Sequence, residues 1–337
     1  MKKNRFFPLM LVAVMIVGMI LTGCKPNSDE GSTQGGSQLK VGLITGLTGL
    51  GDKSMNDQAL LGCQNAAADF GIEYKVLEPK DTTQVMDYMQ NLIDQKYDMI
   101  IAAVPDYDTI IEELAPSAPE VSFVTIDSFL QGENIMCVEY LTHLGSYLAG
   151  AAAAMKSETG ILGCVGGQDL PTISRFIVGF EEGAKSINPD IQVITKYIGT
   201  TWEAWSDTTT AKSITLDMVN NGADVVYQIA GGAGLGVIDG CKEAGVWAIG
   251  VNVDQEEVAP DTVLTSMLTR GEVAVYEAIQ KAVKGEDVSG HFVADLSNEG
   301  VGIVYSRHFT EEEITQLKEI REKIISGEIT VTDVLES

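Results

Sequence analysis

The sequence predicts an α/β protein made of two doubly wound parallel-sheet lobes, and three observations carry that expectation. Short β-branched runs alternate with amphipathic helical stretches along most of the chain, as repeated βα units on parallel sheets require. The alternation falls into two consecutive series of similar length, about 110 residues each. The chain is 45% hydrophobic and 21% charged, and the roughly 300 residues beyond its N-terminal segment are more than one hydrophobic core usually holds.

The chain begins with Lys2, Lys3 and Arg5, continues into an apolar run at 6–21 and reaches Leu21-Thr22-Gly23-Cys24. A basic head, an apolar stretch of about 16 residues that is short for a stable span, and small residues ahead of a cysteine mark 1–23 as a lipoprotein signal peptide. Cys24 is then the site of lipid attachment, which places the mature protein on the extracytoplasmic face of the cell membrane. Residues 25–38 (KPNSDEGSTQGGSQ) carry almost no apolar side chains, so they cannot bury enough surface to fold. With Cys24 they form a flexible tether, 24–38, to a globular body that starts near Leu39.

The first series of strands reads KVGLITG (40–46), IEYKVLE (72–78), DMIIAAV (98–104) and VSFVTID (121–127), with a further strand near 135–140. A helix over 143–156 (HLGSYLAGAAAAMK) leads into the second series: GILGCVGG (160–167), QVITKYIG (192–199), DVVYQIA (224–230) and VWAIGV (246–251). The remaining chain holds a strand at 263–268 (VLTSML), a helix at 272–283, a strand near 301–305 and a charged helix at 310–326, which complete neither lobe alone. The simplest solution returns the chain to the first lobe near Val251 and to the second near Ser289, giving three crossovers. The N-terminal lobe is then 39–142 plus 252–288, and the C-terminal lobe 143–251 plus 289–337. A three-strand hinge of this kind belongs to the type I periplasmic-binding-protein fold, whose ligand sits in the cleft at the C-terminal ends of the strands.

The formal net charge is −26 with a pI near 4.3, and a surface so acidic repels nucleic acid and anionic lipid. Membrane contact is therefore expected through the lipid anchor only. Apart from Cys24, the cysteines Cys63, Cys137, Cys164 and Cys241 lie in apolar stretches and read as small buried hydrophobes. There is no CxxC pair, and His143, His291 and His308 match no metal-ligand spacing. No metal or cofactor is expected. Residues 231–236 (GGAGLG) invite a dinucleotide-binding reading, but no glycine triple fits G-x-G-x-x-G, since Ala233, Val237 and Asp239 stand where glycine is needed. Gly231 and Gly232 instead let the backbone approach a ligand closely and offer amide donors at a helix start.

Several stretches, taken together in order and spacing, resemble the basic membrane protein family of solute receptors, the group that contains bacterial purine-nucleoside receptor lipoproteins. They are Gly51-Asp52-Lys53-Ser54-Met55-Asn56-Asp57, Gly145-Ser146-Tyr147-Leu148-Ala149-Gly150, Gly166-Gly167, Phe176 with Gly179-Phe180, Gly222-Ala223-Asp224, Ala230 through Gly234, and Ile249 through Gln255. The resemblance covers nearly all of the chain after the tether. It implies a type I fold, no catalytic activity, delivery of a small-molecule ligand to ABC permease and ATPase subunits, and a base stacked between apolar side chains while polar groups hold the ribose.

By that resemblance, Asn56 and Asp57 read the hydrogen-bonding edge of a base. From the residues alone, either one equally serves as a helix cap ahead of Gln58. The family motif usually has phenylalanine where Met55 stands, and methionine still offers a polarizable face to a ring. The resemblance makes Phe176 the opposite wall of the base site, whereas its helical spacing from Gly179 and Phe180 also reads as core. Trp202 and Trp205 occupy a loop at a strand's C-terminal end, and Trp202 is favoured as the ligand contact, with plain packing the competing reading. Asp127 ends VSFVTID, where it either accepts sugar hydroxyls or forms a turn before Ser128. In the resembled family, the positions of Asn252 and Thr269 usually carry aspartate and lysine, a pair suited to ribose hydroxyls; here both charges are gone.

The reading favoured by the sequence is a non-enzymatic solute-binding lipoprotein of an ABC importer, with a nucleoside, a purine first, as ligand. Two alternatives stand beside it: a receptor for a sugar or other furanose-like ligand, and an extracytoplasmic nucleoside hydrolase. The second lacks any Ser-His, Cys-His or Asp-rich metal loop.

Overall fold

The computed structural model describes residues 38–335. The signal peptide, Cys24 and the tether as far as Ser37 lie outside the described residues. Each apolar run in the central part of a lobe becomes a strand for a reason its burial makes plain. In Lys40–Ile44 (β1) every residue after the first is buried, as a strand covered on both faces demands. Val41 and Leu43 face one core while Ile44 faces another, so the period-2 alternation is hidden by apolar side chains on both sides.

The first sheet contains β1, β2 (Glu73–Leu77), β3 (Met99–Ala102), β4 (Ser122–Ile126), β5 (Ile135–Tyr140) and a late strand, Gly290–Ala294. Its order from one edge is β2-β1-β3-β4-β5 and then the late strand, all parallel. Helices α1 (Met55–Phe70), α2 (Thr83–Asp94) and α3 (Asp108–Leu114) connect these strands. α2 and α3 cover one face through Met89, Leu92, Ile111 and Leu114, and α1 covers the other through Ala59, Cys63 and Ala66.

α4 (Thr142–Lys156) opens the second lobe, whose strands are β6 (Ile161–Gly166), β7 (Gln192–Tyr197), β8 (Val225–Ile229), β9 (Trp247–Asn252) and β10 (Val263–Thr269). Their order β7-β6-β8-β9-β10 repeats the first sheet's plan. α5 (Pro171–Ile187), α6 (Thr208–Asn220) and α7 (Gly234–Ala244) complete the two faces. α4 and α5 cross with their backbones in contact. A Cβ at Gly150 would overlap the Phe180 carbonyl oxygen, one at Gly179 that of His143, and one at Gly183 that of Tyr147. Gly150 of the G-S-Y-L-A-G stretch and Gly179 of the V-G-F stretch therefore serve helix packing, whereas a Cβ at Gly145 would meet Met267 and the main-chain oxygen of Gly302 in the sheet.

Two crossovers fall later than the sequence suggested. β10 pairs in parallel with β9, Met267 beside Val251, so the chain stays in the second lobe past Val251 and leaves it only after Thr269. β9 would otherwise present an open edge, and the buried run from Val263 to Met267 fills it. α8 (Gly271–Lys284) then packs on α1, and the late strand β11 (Gly290–Ala294) joins β5 in the first sheet. The last crossing comes after Ala294 and not at Ser289. β12 (Val301–Ile303) returns antiparallel to β10, and α9 (Glu311–Ile325) closes the second lobe behind a capping box formed by Thr310 and Glu313. The crossovers are tied to one another: Leu141 N donates to Ala294 O at 2.9 Å and Arg270 N to Gly300 O at 3.0 Å. Cys63, Cys137, Cys164 and Cys241 are buried free thiols.

Candidate functional site

In both sheets the strand order reverses direction beside the first strand, and loops leaving the carboxyl ends of neighbouring strands part there to leave a crevice. The two crevices face each other across a cleft of about 1080 Å³, part of it open to solvent. Met55, Asn56, Asp127, Phe176, Trp202, Gly231, Gly232, Asn252 and Thr269 all line it. Asp57 does not.

The loop between β1 and α1 explains why. Asp52 accepts from the main-chain nitrogens of Ser54 at 2.9 Å, Asn56 at 3.2 Å and Asp57 at 3.3 Å. The α1 N-terminus is thus capped by Asp52 and not by Asn56 or Asp57. Burial pushes the Asp52 carboxyl up, against the lowering effect of those bonds and with a small push from Asp57. Asp57 turns back to accept from Gly51 N at 2.8 Å and Lys53 N at 3.0 Å, bracing the loop from behind. Asn56 lines the cleft, but its amide is committed: Oδ1 accepts from Gly46 N at 2.7 Å, and Nδ2 donates to Thr48 Oγ1 at 2.9 Å and Gly49 O at 2.8 Å. One acceptor lone pair is left, so Asn56 shapes the wall and retains little capacity to read a base edge.

Asp127 comes directly after β4 in the left-handed region at φ 58°. The turn beside it is held by Asp108, which accepts from Thr125 Oγ1 and Ser128 Oγ at 2.6 Å each. Burial, opposed by the nearby Arg175 and reinforced by Glu139 and Asp108, pushes the Asp127 carboxyl up to about 6. Asp106, on the loop after β3, lines the same wall. Although it is open to cleft solvent, desolvation by the surrounding wall and then the charges of Asp108 and Asp127 push its carboxyl up to about 7. The sequence reading missed Asp106. The signal was available, since Val104-Pro105-Asp106 leaves the strand beside β1 at the switch point.

On the second lobe, Phe176 is 6% exposed and presents the aromatic wall. Trp202 and Trp205 bound one 3-10 turn after β7, anchored where Gln168 Nε2 donates to Thr201 O at 2.7 Å. Both tryptophans line the cleft. Trp202 stands at the rim, 43% exposed. The Trp205 ring lies against Gly167, where any Cβ would strike it, and near Gly231, whose φ of 55° a side chain would strain. Trp205, set aside in favour of Trp202 on sequence, is the more firmly seated of the two.

Asn252 and Thr269 end β9 and β10 at the hinge. Thr269 Oγ1 lies 3.2 Å from Asn252 Oδ1, and Asn252 Nδ2 donates to Ser54 Oγ of the first lobe at 2.7 Å. A second interlobe bond runs from Gln255 Nε2 to Lys53 O at 3.2 Å. Behind the cleft, Arg175 of α5 is buried and donates to Tyr140 O at 3.0 Å, to Glu139 Oε1 at 2.7 Å and to Asp333. The lobes are therefore pinned together on both sides of the hinge by groups withdrawn from solvent, and the cleft is presented in a drawn-together arrangement.

A family described as "ABC transporter substrate-binding protein PnrA-like" matches residues 40–334. The chain belongs to this family. PnrA-like proteins are solute receptors rather than enzymes, so membership implies a small molecule in the cleft and permease and ATPase subunits as partners. Among relatives, the "ABC transporter nucleoside-binding protein BmpA" of Lactococcus lactis is 28% identical over 98% of this chain and 99% of its own. An uncharacterized lipoprotein of Pyrococcus furiosus is 30% identical over 94% of this chain and 87% of its own. A solute-binding protein of an ABC transporter system from Aeropyrum pernix superposes with a TM-score of 0.79 at 25% identity, covering 88% of this chain and 93% of the other. These neighbours share the two-lobed periplasmic-binding-protein fold. Among the described residues no helix is long and apolar enough to cross a membrane.

Proposed function

We propose that this PnrA-like protein is a lipid-anchored extracytoplasmic receptor that binds a nucleoside in the interlobe cleft and passes it to an ABC permease without chemical change. The observation that carries this reading is the pairing of aromatic faces from the second lobe, Phe176 and Trp205, with Met55 of the first around one cleft. A planar base between such faces gains about 1–3 kcal/mol per stacked ring. Asn252 and Thr269 at the hinge end retain one amide hydrogen and several lone pairs for ribose hydroxyls after their mutual contacts are counted. The nucleoside named for the Lactococcus lactis relative supports the same ligand class.

Mass spectrometry of the small molecule retained through purification tests the ligand directly. Incubation with adenosine, guanosine, inosine, uridine and cytidine should raise the melting temperature with at least one, because a ligand that binds only the folded state stabilises by mass action. Release of free base above the uncatalysed rate would instead favour a nucleoside hydrolase. For the anchor, Cys24→Ser should abolish incorporation of a radioactive fatty acid; equal labelling of both proteins would remove Cys24 from the proposal.

A further inference from the structure

Asp106 and Asp127 leave adjacent strands of the first sheet and both face the cleft. Neither carboxylate makes a hydrogen bond or ion pair with any described residue. The cation that acts on Asp127 is Arg175, and its guanidinium is already committed to Tyr140 O, Glu139 and Asp333. Among the described residues no lysine, arginine or histidine lines the cleft. Two like-charged carboxyls in one concavity disfavour each other's ionised form, and a cation bound between them relieves that repulsion.

Two further observations point to what meets them. The cleft that these carboxylates line from the first lobe has an aromatic wall on the second, with Phe176, Trp202 and Trp205, and the negative face of an aromatic ring attracts a cation as well as stacking a heterocycle. Tyr140 Oη and Thr142 Oγ1 also line the cleft, each residue 2% exposed and each oxygen without a hydrogen-bond partner. Buried hydroxyls left unpaired in the protein are expected to be paired in its complex. The protein's net charge of −26 adds a field of the same sign, which draws cations toward the cleft and repels anions.

We propose that the ligand is a cationic or amine-bearing nucleoside, its positive group held by Asp106 and Asp127 and its ring held by the aromatic wall. This rests on the nucleoside reading of the cleft and narrows it: phosphorylated nucleosides are disfavoured by charge, and a neutral nucleoside offers the two carboxylates hydrogen-bond donors but no counter-charge. Desolvation, joined for Asp106 by the charges of Asp108 and Asp127 and for Asp127 by those of Glu139 and Asp108, raises both carboxyls, and a cation bound beside them would lower them again.

Calorimetric titration of the purified protein at neutral pH decides the matter with five probes: adenosine, 1-methyladenosine with its charge on the base, 5′-amino-5′-deoxyadenosine with its charge on the sugar, adenosine 5′-monophosphate, and tryptamine as a cationic aromatic without a sugar. At least one cationic nucleoside should bind tenfold or more tighter than adenosine, and the monophosphate more weakly than adenosine. Asp106→Asn and Asp127→Asn, both near-isosteric, should each cut that preference several-fold. Adenosine binding as tightly as both cationic analogues, or a cation preference that survives both substitutions, overturns the charge inference and leaves the nucleoside reading intact. Tryptamine binding while every nucleoside fails overturns the nucleoside reading and leaves the charge inference standing. Failure of all five probes overturns both.

Discussion

Gln58 of the first lobe donates from Nε2 to the main-chain oxygen of Asn252 in the second at 2.7 Å, and the same nitrogen reaches the main-chain oxygen of Thr269. One buried side chain of α1 therefore closes the ends of two strands that belong to the other lobe. Those carbonyls sit where β9 and β10 stop, beyond the reach of ladder bonds, and a buried carbonyl left without a donor costs about 1–3 kcal/mol. Gln58→Met keeps the volume and removes both donors. It should destabilise the protein by roughly 2–4 kcal/mol in urea unfolding, and a loss under about 0.5 kcal/mol would mean that water replaces the amide and the bridge is not structural.

The crossing of α4 and α5 yields a second, independent expectation. Gly150 and Gly183 meet opposing main-chain carbonyls with no room for a methyl group, whereas nothing lies within 4 Å of a Cβ at Gly302. Overpacking against backbone cannot be relieved by rotating a side chain, so Gly150→Ala or Gly183→Ala should cost about 3 kcal/mol or more. Gly302→Ala serves as the control and should be near neutral. Equal stability of all three variants would show that the helices can part without penalty.

Both lobes could be read from the sequence because their central strands are buried on both faces and appear as unbroken apolar runs, such as Met99–Ala102. Gly290–Ala294 gave no such signal. It is an edge strand whose first two residues are exposed, and an edge strand needs only one partner and no apolar face. Missing it displaced the last crossover to Ser289. The cleft-lining positions were legible because strand ends at a switch point must face the crevice. Which side chains remain free was not, since that depends on hydrogen bonds. Asn56 and Asp57 look identical to ligand-reading residues in one dimension, yet Gly46, Thr48, Gly51 and Lys53 already occupy their polar atoms.

The raised Asp127 carboxyl makes stability depend on pH in a direction opposite to that of an ordinary paired carboxylate. Its folded value of about 6 exceeds the value near 4 of an unfolded chain, so the folded state binds more protons across that window. Stability contributed by the protonated form is complete below about pH 4 and falls as pH rises through about 6. Asp127 faces Asp106, Asp108, Glu139 and the phenol of Tyr140, with Arg175 the opposing charge among the described residues. Asp127→Asn also suits the backbone, because asparagine tolerates positive φ. Without ligand, the variant should gain on the order of 1 kcal/mol over the parent at pH 8 and nearly nothing at pH 4. A gain that is the same at both values would trace to backbone preference alone.

The last expectation concerns Asn252 and Thr269, which the structure brings within 3.2 Å of each other at the cleft end of the hinge. In the resembled pattern, aspartate and lysine at these positions suit ribose hydroxyls, the carboxylate accepting and the ammonium donating. Here a neutral amide and a hydroxyl replace them together, and each is partly engaged, Asn252 with Ser54 and Thr269 with Gln58. Neutral hydrogen bonds contribute about 0.5–1.5 kcal/mol against roughly 1.5–3 for charged ones, so the present pair should discriminate weakly between ribose and deoxyribose. Restoring both charges with Asn252→Asp and Thr269→Lys is structurally tolerable, because the Ser54 hydroxyl can rotate to donate where it now accepts and the new charges lie side by side. The double variant should then prefer ribonucleosides over their 2′-deoxy counterparts by on the order of tenfold more than the parent does, the factor that about 1.4 kcal/mol represents. Either single variant, leaving one charge unpaired at the hinge, should bind more weakly than the double one. If the parent already demands both ribose hydroxyls and the double variant binds less tightly, Asn252 and Thr269 form a complete ribose site in their own right and the neutral exchange is not a relaxation of specificity.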